Sequence, residues 1–105
     1  MVVKRKKIRY GEPMEVPFTQ RERSLILEYT FAGPNLTDRL RMASTQGTKL
    51  VAKFTLDDLD ELLGYIAAEA NHSEDPKLQK QLDTLYNRLK TKMESYDDGE
   101  WQEAF

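Results

Sequence analysis

Two leucine ridges separated by a polar break constrain this chain more tightly than any other feature. Leu59, Leu62, Leu63, Ile66, Ala67 and Ala70 follow the i, i+3, i+4, i+7 rhythm of one helix face. Leu78, Leu82, Leu85, Leu89, Met93 and Tyr96 recur at spacings of 4, 3, 4, 4 and 3, a narrow seam suited to packing on another helix. The break from Asn71 to Asp75 is short, so the two helices are expected to lie antiparallel and close their ridges on each other. Thr55 with Asp58 makes a capping-box pattern at the head of the first helix, with Phe54 placed to staple against Leu59. Asp75-Pro76 supplies a capping carboxylate and a first-turn proline to the second.

The 105 residues, 39% of them apolar, suffice for one small core and exclude two full domains. Ahead of the hairpin, Met14, Val16 and Phe18 alternate with Glu15 and Pro17, the period of a half-buried strand, and the proline places that strand at an edge. Thr19 with Glu22 is a second capping box, opening a helix with Leu25, Ile26 and Tyr29 on its apolar side. Gly33-Pro34 is expected to end that helix with a left-handed glycine, after which Asn35 caps a short helix through Met42. Ser44 to Thr48 reads as a polar turn around Gly47, and Leu50, Ala52 and Phe54 alternate with Val51 and Lys53 as a short strand. The two strands both end in Phe-Thr and open a helix. If they are neighbours, a parallel pairing across the helical connection is open to them, and it would need a right-handed crossover.

The expected fold is therefore mainly α, with four helices that include a C-terminal antiparallel hairpin and a small two-stranded β element; an α+β arrangement is the alternative. Gly64 inside the third helix suggests tight packing against a neighbour, such as the first helix.

Charge divides the chain further. Residues 1–12 form a basic arm, 13–96 a single helical domain and 97–105 an acidic tail. Lys4, Arg5, Lys6, Lys7 and Arg9 give the first nine residues +5 within a chain of net charge -2, and the segment from Glu94 to Phe105 holds five acids and no base. The arm attracts nucleic acid, the body repels it, and the tail offers the arm an intramolecular partner. No apolar run approaches the roughly 20 residues that cross a bilayer, and none after the basic N-terminus resembles a secretion signal, so a cytoplasmic protein without membrane contact is expected. The absence of cysteine fits a reducing compartment and removes disulfides, thiolate nucleophiles and cysteine zinc sites.

The segment Phe54-Thr-Leu-Asp-Asp-Leu-Asp-Glu-Leu-Leu-Gly-Tyr-Ile-Ala-Ala-Glu-Ala-Asn-His72, with Thr19-Gln-Arg-Glu-Arg-Ser-Leu-Ile-Leu-Glu28, resembles a small uncharacterised bacterial domain of plasmid and mobile-element open reading frames. The resemblance covers residues 14 to 95. It implies a bacterial source, against a nuclear-localisation reading of Lys4 to Lys7, and it transfers no activity and no functional residue.

Catalytic patterns are sparse. Glu69 and His72 stand at the i, i+3 spacing of di-metal bundles, but a chain with one histidine lacks the rest of that ligand set, so a solvated helix-end histidine is expected and no metal. Asp57, Asp58, Asp60 and Glu61 lack the ligand spacing of a calcium loop and suit a helix N-terminus instead. No serine lies in a nucleophile-elbow context, and the five glycines are too dispersed for a phosphate loop. No enzyme activity and no cofactor is expected.

The leading expectation is a noncatalytic protein-interaction module whose partner surface is the helical apolar area left after the hairpin closes, with self-association or another protein as partner. Trp101 and Phe105, an apolar pair among carboxylates, are candidate partner contacts. The alternative is a nucleic-acid-binding or regulatory protein using Lys4, Arg5, Lys6, Lys7 and Arg9 of the arm, with Arg39 and Arg41 of the helix pair 19–42 offered to a groove.

Overall fold

A computed structural model describes residues 6–97. In chain order the elements are β1 (Lys6–Lys7), β2 (Met14–Phe18), α1 (Gln20–Tyr29), α2 (Pro34–Arg41), β3 (Ser44–Gln46), β4 (Lys49–Phe54), α3 (Leu56–His72), α4 (Pro76–Glu94) and β5 (Tyr96–Asp97). The four expected helices are present. The β structure is larger than expected: an antiparallel sheet of order β2-β4-β3 and a two-stranded parallel pair of β1 with β5.

In β2 and β4 the alternation of side chains puts Met14, Val16, Phe18, Leu50, Ala52 and Phe54 on one buried face. The register sets Met14 against Phe54, Val16 against Ala52 and Phe18 against Leu50, while Glu15 opposes Lys53 on the outer face. The Phe18 and Phe54 rings meet edge to face with centroids 6.0 Å apart. Against this face α1 and α2 contribute Leu25, Ile26, Leu36 and Leu40, and the hairpin contributes its ridges. Leu59, Leu62, Leu63, Ile66, Ala70, Leu82, Leu85 and Leu89 are all buried, so the α3/α4 seam closes within the monomer and joins one continuous core, while of the other expected ridge residues Ala67, Leu78 and Met93 are half-buried at its margin and Tyr96 lies beyond α4, in β5.

The two long strands do pair, but not in the parallel sense that the helical connection leaves open: β2 and β4 are antiparallel. The reason is β3, in a stretch read from its sequence as a polar turn. Its Ser44, Thr45 and Gln46 are all exposed, and the chain reverses between Gln46 and Lys49, with Gly47 at φ 62°. That extra reversal turns β4 against β2, and β4 inserts between β2 and β3.

The junction of α1 and α2 differs as well. Helix α1 ends at Tyr29 with Thr30 as C-cap, and Gly33, at φ -69°, begins α2 rather than ending α1. Pro34 takes the first helical position, where its missing N–H has no partner to lose, and Asn35 lies inside the first turn instead of capping it.

Both capping boxes form. Thr19 Oγ1 accepts from Glu22 N–H at 3.0 Å while Glu22 Oε1 accepts from Thr19 N–H at 2.8 Å. Thr55 and Asp58 repeat the exchange at 3.0 Å each way. In both cases the returning carboxylate also holds an arginine from another helix. Arg88 of α4 binds Glu22, with Nε–Oε2 at 2.7 Å, and Arg39 of α2 binds Asp58, with Nη1–Oδ2 at 2.8 Å. The Phe-Thr-x-x-acid repeat is thus a repeated joint: a strand delivers a core phenylalanine, the next residue caps a helix, and the helix's first-turn acid ties in a neighbour.

Candidate interaction surface

Closing the hairpin leaves a second, outer ridge on each of its helices. On α3, Asp60, Gly64 and Ala67 stand at i, i+4, i+7; on α4, Tyr86, Lys90 and Met93 do the same. Together with Leu63 they line an open groove of about 480 Å³. Ala67, Tyr86 and Met93 are half-buried, Asp60, Gly64 and Lys90 exposed. The Lys90 ammonium lies 6.0 Å from the centroid of the Tyr86 ring. The groove lining is therefore mixed, with the half-buried Ala67, Tyr86 and Met93 between one acid, Asp60, and one base, Lys90. Gly64 is not in a tight contact, contrary to expectation: a Cβ built there meets nothing within 4 Å, so the glycine leaves a hollow in the wall.

A second groove, of about 530 Å³, lies between α2 and the sheet, where Asp38, Arg39 and Met42 face Val51 and Lys53. It exists because β3 is short: Ser44 opposes Val51, and the strand ends before Lys53. Arg39 closes this edge by donating from Nη1 to the Lys53 carbonyl at 3.2 Å. Beside it Met42 is 83% exposed, and at the other end of α2 Phe31 is 87% exposed.

The candidate nucleic-acid residues divide. Arg39 is held by Asp58 and Lys53, so its guanidinium joins α2 to the head of α3 instead of standing free for a groove. Arg41 is exposed in the last turn of α2, near Asp38 Oδ1 at 3.5 Å and Thr37 Oγ1 at 3.4 Å. Lys6, Lys7 and Arg9 are exposed. Lys6 opposes Tyr96 in the parallel pair, its amide donating to the Ser95 carbonyl at 2.8 Å and its ammonium lying 6.0 Å from the Tyr96 ring centroid. Lys4, Arg5, Trp101 and Phe105 lie outside the described residues.

The acidic cluster is put to structural use. Asp57 accepts from the Tyr10 hydroxyl at 3.3 Å, Asp58 completes the cap, and Asp60 reaches the hairpin groove. His72 is exposed at the C-terminal end of α3. Among the described residues no group of three or more His, Cys, Asp or Glu could hold a metal ion, and no helix is long and apolar enough to cross a membrane.

Comparison with models of protein families, with curated proteins and with solved structures finds no match to this chain.

Proposed function

We propose that the protein is a cytoplasmic, noncatalytic protein-interaction module that binds its partner through the outer face of the α3/α4 hairpin. The observation that supports this reading is the groove itself: Ala67, Tyr86 and Met93 keep part of their apolar surface open between α3 and α4, flanked by Asp60 and Lys90, on a helical pair whose inner ridges, Leu63 included, are already spent on the core.

The test combines light scattering on the full chain with its use as bait in extract of its native cell, for the wild type and for Ala67→Glu. The wild type forms a complex, with itself or with another protein, that the variant loses. A wild type that stays monomeric and captures nothing beyond what the variant captures overturns the reading.

A second reading, nucleic-acid binding through the basic arm, draws on the exposed Lys6, Lys7 and Arg9. It loses Arg39, whose charge is spent on Asp58.

A further inference from the structure

We propose that the occupant of the hairpin groove is the same groove of a second copy, so that the protein is a symmetric dimer built as an antiparallel four-helix bundle. This rests on the interaction reading above and names its partner.

The argument begins with height along the hairpin. Counted at 1.5 Å per residue from His72 and Pro76, Asp60 and Lys90 stand roughly 18 and 21 Å from the connecting turn, so they face each other across the groove at nearly one level. Among the described residues neither has a salt-bridge partner.

A two-fold axis parallel to the helices lays α3 of one protomer on α4 of its partner, antiparallel and at the same level. The Asp60 carboxylate then meets the partner's Lys90, and the symmetry makes that pair twice. An isologous interface requires this kind of self-complementarity, in which one patch carries both halves of each contact.

The same register continues along both ridges. Gly64 comes opposite the partner's Tyr86, so an aromatic ring faces the hollow where a Cβ has nothing within 4 Å. Ala67 comes opposite the partner's Asp83, and Asn71 opposite the partner's Gln79, so no like charges meet along these ridges. A glycine at the closest approach of two helices lets their backbones draw near, and here the approach is made between copies rather than within one.

A two-helix face of this length covers on the order of 500 Å² per copy, at the low end of specific interfaces, as in complexes that form and dissociate reversibly.

Sedimentation velocity of the full chain across the micromolar range tests the proposal with Asp60→Lys and Lys90→Asp. The wild type shifts from monomer to dimer with concentration. Each single reversal sets like charges opposite each other twice and weakens association by roughly ten-fold or more. In an equimolar mixture of the two variants, every acid at one position meets a base at the other across the interface, and a heterodimer forms. Far-UV circular dichroism of each variant matches the wild type, because both positions are exposed. A wild type that is monomeric throughout, a dimer indifferent to both reversals, or a mixture that stays monomeric overturns the proposal. A monomeric wild type that still captures another protein, and loses it with Ala67→Glu, overturns the dimer alone and leaves the interaction reading standing.

Discussion

Arg88 on α4 grips Glu22 on α1 with both arms of its guanidinium, Nε to Oε2 at 2.7 Å and Nη2 to Oε1 at 2.9 Å, while its Cζ lies 5.6 Å from the centroid of the Phe18 ring. One carboxylate thereby serves the cap of its own helix and the docking of another. A double-mutant cycle with Glu22→Gln and Arg88→Met is expected to give a coupling of about 1 kcal/mol, the upper end for a partly exposed pair, by urea unfolding. Glutamine keeps an oxygen for the Thr19 amide, so the cycle reports the ion pair more than the cap.

Thr55→Ala is expected to lower stability by about 1 kcal/mol, since the Asp58 amide at the head of α3 loses its acceptor. Thermal unfolding followed by far-UV circular dichroism reads the loss. Thr55→Ser, which keeps the hydroxyl, restores most of it.

Gly64→Ala is expected to raise monomer stability by about 1 kcal/mol, because the residue is helical, its φ is not left-handed, and the added methyl meets open space. Urea unfolding at a concentration low enough to keep the chain monomeric checks this.

Leu85→Ala removes a fully buried side chain from the seam between the hairpin ridges and is expected to cost about 2–5 kcal/mol. Loss of a cooperative unfolding transition, or its shift to much lower denaturant, is the readout.

Arg39→Ala is expected to lower stability and leave any oligonucleotide affinity unchanged, since Arg39 serves Asp58 and the Lys53 carbonyl. Removing residues 1–9 is expected to abolish such affinity. Fluorescence anisotropy with a labelled oligonucleotide at two salt concentrations separates the two, because phosphate contacts made by the arm carry the salt dependence.

The hairpin, its caps and its buried ridge were legible because helix periodicity and capping boxes are local: Thr55, Asp58 and Leu59 announce a helix start within five positions. The sheet was legible only where burial wrote an alternation, in Met14 to Phe18 and Leu50 to Phe54. Ser44, Thr45 and Gln46 form an exposed edge strand, and a strand with neither face buried leaves no apolar period to read. That strand also decides the sense of the β2/β4 pairing. Gly33-Pro34 is ambiguous between stopping one helix and starting the next, and only the backbone angle of Gly33 decides. Leftover apolar area on the hairpin follows from its periodicity, but the residues lining the outer groove do not, since Ala67 and Met93 fit the spacing of the inner ridges as well. Asp60, Gly64 and Ala67 share a face by spacing alone, and a helical glycine fits a tight contact and an open hollow equally well, so only the surroundings of Gly64 decide between them. The role of Arg39 was equally hidden, since its carboxylate partner comes from a different helix.

The pairing of β1 with β5 has a mechanical consequence. Lys6 lies beside Tyr96 and Lys7 beside Asp97, so the two ends of the described chain are stapled to each other and enclose everything between them in a loop. Tension applied through the flanking segments is borne first by this short clasp, which can tear while the phenylalanine and leucine interior stays intact. The same adjacency makes the molecule a natural candidate for circular permutation, with new ends opened at the Gly47 reversal.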